Sequence, residues 1–171
     1  MTDSSKSDPY GFLSVVKLAG GTVVGGYLLL NALGRPIEFH CTEALKPTRA
    51  QEILYGPTLT PFIYSEQLGQ SLITAAKTHA QVVFTDASPA LDLRKVLDVP
   101  VILVRDSSEL ASDEKPLREV AIGKNRLFFH IECGDRWQTE FEKWQLELCD
   151  WNLVEPFTRI HEAIAETHKA A

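Results

Sequence analysis

Runs of β-favouring apolar residues near the N-terminus give way after Glu43 to apolar spacings of three and four, and that change of period organises the chain. Tyr10 to Leu18 (YGFLSVVKL) and Thr22 to Glu43 (TVVGGYLLLNALGRPIEFHCTE) are rich in β-branched, aromatic and leucine residues, so both read as extended. Gly20-Gly21 turns one into the other. The second stretch folds back on itself, because Asn31 and Gly34 hold the first and fourth positions of a type I turn closed by a left-handed glycine. Setting Asn31 opposite Arg35 pairs Leu29 with Ile37, Tyr27 with Phe39 and Gly25 with Cys41 on a face that reads as core. Leu28 with Glu38, Gly26 with His40 and Val24 with Thr42 fall on the other, a mixed face that reads as partly covered. A glycine opposite His40 leaves space above the imidazole, for a ligand or for a closely packed helix.

Beyond Glu43, Thr48 to Gln51 (TRAQ) has the form of a capping box, and Tyr55-Gly56-Pro57 ends the short helix it opens. Thr60-Pro61 then starts a helix, threonine as N-cap, whose stripe is Phe62, Ile63, Leu68, Leu72, Ile73 and Ala76. Gln81 to Asp86 (QVVFTD) and Val99 to Asp106 read as two parallel strands. The crossover between them starts at Ser88-Pro89, carries Leu91, Leu93, Val96 and Leu97, and should wind right-handed. Ser107 to Pro116 is a charged linker, and Leu117 to Glu132 forms a second hairpin about Gly123-Lys124-Asn125. Trp137, Phe141, Trp144, Leu148 and Trp151 recur at helical spacing, which places them on one stripe of a single helix. Asn152 to Pro156 interrupts it, and Phe157, Ile160 and Ile164 continue on a terminal helix.

The architecture expected is therefore one α/β domain, bordering on α+β, over residues 10–171, after a disordered polar arm at 1–9. It is a mixed sheet of about six or seven strands, with N-terminal antiparallel hairpins, one parallel βαβ crossover and covering helices that include a C-terminal pair. The uncharged run from Leu18 to Gly34 invites a membrane reading, and its Gly21-to-Gly25 spacing suits packed spans. Lys17 and Arg35 bound it short of the roughly 20 apolar residues a span needs. Nor does a small-residue cleavage site follow it.

Composition narrows the function classes. The chain has 171 residues, 44% hydrophobic and 23% charged, which is ordinary for a globular protein. A net charge of −6 without any basic run argues against a nucleic-acid partner. Three cysteines, Cys41, Cys133 and Cys149, lack close spacing and point to free, mostly buried thiols in a reducing, cytoplasmic setting.

Candidate chemistry centres on carboxylates. Asp86 and Asp106 end the two parallel strands, where ligands bind in open α/β sheets. With Glu38 as a third carboxylate, and His40 on the same strand face, they form a candidate set for a metal-dependent phosphodiester hydrolase. The bland alternative for Asp86 is capping of the turn that follows it. Glu38-x-His40 and His130-x-x-Cys133 each supply at most two ligands, short of a zinc site. A Cys41 nucleophile would need His130, because His40 points to the opposite face. No phosphate-binding glycine loop and no serine elbow is present. Tyr55 and Tyr64 beside the loop YGPTLTP are candidate partner contacts, although a solvated helix junction has the same composition and is the favoured reading. Trp137, Phe141, Trp144 and Trp151 cover either this domain's own sheet, the favoured reading, or a second subunit or partner. The first reading is a non-catalytic binding or scaffold module without cofactor that self-associates or binds a protein. The alternative is a small hydrolase using carboxylates at strand ends.

Overall fold

A computed structural model describes residues 8–106, 117–133 and 137–169. Most of the arm at 1–9 and the whole linker at 107–116 lie outside the described residues. Seven strands form one sheet: Tyr10–Lys17 (β1), Val23–Leu30 (β2), Pro36–Cys41 (β3), Val82–Thr85 (β4), Val101–Arg105 (β5), Leu117–Ile122 (β6) and Asn125–His130 (β7). Their order is β3-β2-β1-β4-β5-β7-β6. β1 runs parallel to β4, and β4 to β5, while the remaining neighbours are antiparallel. The chain is thus an α/β fold with a mixed sheet.

Helices cover both faces. One layer holds Arg49–Tyr55 (α1), Leu59–Phe62 (α2), a π-helical segment Ile63–Gln70, Ser71–Ala75 (α3) and the 3-10 crossover Ser88–Lys95. The other holds Gln138–Glu147 (α4) and Glu155–Lys169 (α5). Every residue of β2 is consequently buried, including the face expected to be only partly covered. Among the described residues no helix is long and apolar enough to cross a membrane.

Several local expectations change. The turn at Asn31 forms, with Asn31 N–H donating to Arg35 O at 2.9 Å and Gly34 at φ 73°. The register then slips, so that Leu30 pairs with Pro36 but Leu29 with Glu38, Tyr27 with His40 and Gly26 with Cys41. Pro36 has no N–H for the ladder, and a bulge beside it leaves Ile37 as the extra residue. A one-residue slip exchanges the faces of everything beyond it, so Phe39 pairs with Leu28 instead of facing Tyr27, and on this edge strand Ile37 and Phe39 stay exposed.

The capping box of α1 is present in full. Thr60, by contrast, is no cap. Thr58 is already helical at φ −83°, ψ −8°, so α2 begins at Leu59, and Pro61 sits in the first turn, where its missing N–H costs nothing. The aromatic stripe also divides. Trp137 stands at the N-cap of α4 and Leu148 at its C-cap, whereas Trp151 lies in the loop beyond.

Candidate functional site

The parallel pairing of β1 with β4 matches Leu13 to Thr85, which brings the next residues, Ser14 and Asp86, side by side at the carboxyl end of β4. Alternation puts both on the face of Phe12 and Phe84, beneath α5. α5 lays Phe157, Ile160 and Ile164 on that face. It descends that far because Gly26, paired with Ser14, has no side chain: a Cβ there would stand 2.5 Å from Ile160 Cγ2. The next residue, His161, is thereby set over Ser14. The glycine pair fits closely packed helices, with Gly25 under Leu68 and Leu72 on the opposite face.

The three side chains form one ordered hydrogen-bond set. Ser14 Oγ donates to Asp86 Oδ1 at 2.8 Å, which uses its only proton. The 2.8 Å contact between Ser14 Oγ and His161 Nε2 must then be a bond donated by the imidazole. Asp86 Oδ2 lies 3.4 Å from the same nitrogen. Neutral His161 therefore carries its proton on Nε2, leaving Nδ1 as its basic nitrogen. The imidazole is 47% exposed, while Ser14 is fully buried. Ser14 aligns the other two.

Burial raises the Asp86 carboxyl above its ordinary value, opposed by the Ser14 hydroxyl and by His161 and Arg105. Burial and the Asp86 charge together push Tyr64 up. Asp86 does not cap the following turn. Thr85 Oγ1 accepts from Ala87 N–H instead, at 3.1 Å, and the carboxylate stays with Ser14 and His161. Arg105 Nη1 donates to the Asp86 carbonyl. A cavity of about 210 Å³ opens here, lined by Asp86, Arg105, Asp106 and His161 among others.

Glu38 and His40 do not join this site. They lie on edge strand β3, with β2 and β1 between them and β4. The Glu38 carboxylate accepts from Lys77 N–H at 3.0 Å and Thr78 N–H at 2.8 Å and contacts His40 Nε2 at 2.8 Å. These bonds, that of His40 first, hold it down at about 2. His130 lies beside Glu132, not Cys41. None of the three thiols is buried: Cys149 is exposed and the others are half-buried.

No family model matches the chain, and no curated protein does. Solved structures similar to it include two of Ciona intestinalis endonuclease V. One, a substituted form in complex with a 23mer DNA containing an inosine followed by a ribo-adenosine, is 12% identical at a TM-score of 0.47, covering 78% of this chain and 76% of that chain. The other, with a 24mer DNA of the same description, is 14% identical at 0.47, covering 82% and 88%. At such distance the likeness transfers no residue and no role.

The expectations of a non-catalytic scaffold, of a protein partner or self-association and of no nucleic-acid partner run against these neighbours, which are endonucleases in complex with DNA. Three aromatics of the stripe lie inside the chain, as cover for its own sheet, with Trp137 and Phe141 against Phe129 and Trp144 against Phe141, and Tyr64 is buried. Tyr55 stacks on Phe62 at 4.7 Å. Net charge, moreover, averages the whole surface, whereas a phosphate meets local groups, and Arg105 and Lys124 line one cleft.

A resident metal ion fits poorly. Among the described residues no three His, Cys, Asp or Glu side chains cluster as a ligand set, and Asp86 is already engaged by Ser14 and His161. Asp86 and Asp106 are the strand-end carboxylates expected from the sequence, whereas Ser14 and His161, which meet Asp86 here, were not among the expected residues. A hydroxyl inside an apolar strand was the available signal, since a buried polar group needs a partner.

Proposed function

We propose that the chain is a hydrolase of nucleic-acid phosphodiesters, with His161 as general base and acid and Asp86 as its charge partner. The observation that carries this reading is the Ser14–Asp86–His161 hydrogen-bond set, which assigns the proton to Nε2 and leaves Nδ1 for substrate beside the cavity. In the reaction, water attacks phosphorus and its proton passes to Nδ1 while Asp86 balances the imidazolium. The P–O bond then breaks and the leaving oxygen takes the proton back. Arg105, in the same cavity, offers positive charge to the phosphate. Asp106, at the end of the neighbouring strand, shares the cleft. A nucleic-acid substrate is in keeping with the DNA-bound chains described above. A cytoplasmic location is in keeping with cysteines that are all free.

The test is cleavage of end-labelled oligonucleotides, single-stranded and duplex, with products resolved by size. His161→Ala should lose about a hundredfold in rate or more. Ser14→Ala, acting through position alone, should lose less and shift the pH profile. Cleavage by His161→Ala at the wild-type rate rejects the assignment.

A further inference from the structure

The cavity at Asp86 and His161 has a neighbour. It shares Arg105, Asp106 and Val154 with a cavity of about 540 Å³ that reaches Lys124 and Trp151. That one in turn shares Asp150, Trp151 and Asn152 with a third of about 270 Å³ beside Gly34 and Arg159. Trp151 therefore stands between two adjoining cavities on a run that leads back to His161. Of the three tryptophans it alone is not buried, since Trp137 and Trp144 are 6% and 1% exposed.

Trp151 is also held in place. Its carbonyl accepts from Asn125 Nδ2 at 2.7 Å, and Asn125 Oδ1 accepts from Leu153 N–H at 2.9 Å, so one buried amide clamps the backbone on both sides of Asn152. Tyr10 meets the indole edge-on at 5.4 Å. An aromatic ring on a clamped backbone loses little freedom when something stacks on it. The clamping asparagine adjoins Lys124, which lines the same cavity. The space lies within the range of small-molecule sites. Asp106 and Asp150 line it too, so positive charge meets a phosphate only beside Lys124 and Arg105.

We propose that Trp151 is a stacking platform for one unpaired base of a single-stranded nucleic acid, with Lys124 and Arg105 meeting the adjacent phosphates. The inference rests on the hydrolase reading for its substrate class and adds a strand preference and a second subsite. Stacking suits any base, so the platform selects unpaired strands, not sequence.

The experiment is binding of a labelled single-stranded thymidine decamer, read by anisotropy, to the full chain and to His161→Ala, in which cleavage does not interfere. Tryptophan fluorescence of the unsubstituted chain should be quenched on binding. Trp151→Leu should weaken binding about tenfold or more. Lys124→Gln, on an exposed turn and independent of any folding defect at Trp151, should weaken it severalfold and reduce the salt slope by about 0.7. A matched duplex should bind less tightly. Unchanged affinity in both variants, or duplex binding as tight as single-strand binding, overturns the proposal. Quenching and variant losses without cleavage would sink the hydrolase reading and leave the platform standing. Cleavage that depends on His161 but not on Trp151 or Lys124 would do the reverse.

Discussion

Gly26 and Ile160 meet so closely that a Cβ on the glycine would lie 2.5 Å from Ile160 Cγ2 and 3.0 Å from Ile164 Cδ1. Both isoleucines are fully buried on α5, so neither has room to retreat. Gly26→Ala should cost about 1–3 kcal/mol, the usual penalty of overpacking, read as a lowered urea midpoint. Because α5 carries His161, the variant should also lose more activity than its stability loss explains. Unaltered stability would mean that α5 is not seated on β2.

Asp86 should trade stability for function. Its folded carboxyl binds a proton more tightly than the unfolded one, so the stability this confers is complete below the unfolded value of 3.8 and is lost as pH rises through the raised folded value. At neutral pH the charged form is a burden. Asp86→Asn keeps an acceptor for Ser14 and removes the charge. It should melt higher at pH 7, with the gap closing as pH falls toward 3.8, while cleavage falls. A lower melting temperature at pH 7 would show that the charge stabilises the fold through His161 and Arg105.

The unequal legibility of site and fold has physical causes. Asp86 could be found because a strand-end carboxylate is a local feature. His161 could not, since it sits among polar residues of a helix 75 positions later and only the packing of α5 on Gly26 brings it to Ser14. The hairpin turn was local and legible. The register beyond it is not, because Ile37 and Phe39 alternate as core residues would, yet the bulge next to Pro36 shifts the pairing and the edge position leaves both exposed. Helix-end chemistry misled at Thr60, where a preceding 3-10 turn had already started the helix.

Glu38 serves the fold as a clasp between β3 and the backbone leading into β4. Its carboxyl is lowered from 4.5 to about 2, so its stabilising contribution is complete above the unfolded value and is lost as pH falls through that interval. Glu38→Gln should lower the melting temperature at pH 7 and match the wild type as pH approaches 2. Its cleavage activity, measured where it is folded, should be unchanged. A difference that persists unaltered into acid would place the effect in shape, not charge.

Tyr27 and Gly11 form the last testable pair. The tyrosine hydroxyl is buried without a hydrogen-bond partner among the described residues, and it occupies the space over Gly11, where a Cβ would stand 2.6 Å from Oη. Burial first, then the Glu38 charge, raises the phenol, so it stays protonated across the working range. A buried donor without a partner costs about 1–3 kcal/mol, and Tyr27→Phe removes that cost at the expense of a small void, so it should match or exceed wild-type stability. Gly11→Ala alone should destabilise. Combined with Tyr27→Phe it should cost less, by a coupling of about 0.5 kcal/mol or more. The rescue should be partial, because ring carbons Cε2 and Cζ would still lie 2.8 and 3.0 Å from the new methyl. Strictly additive effects in the cycle would show that the hydroxyl does not fill the glycine's space, and a marked loss in Tyr27→Phe would reveal a partner for it.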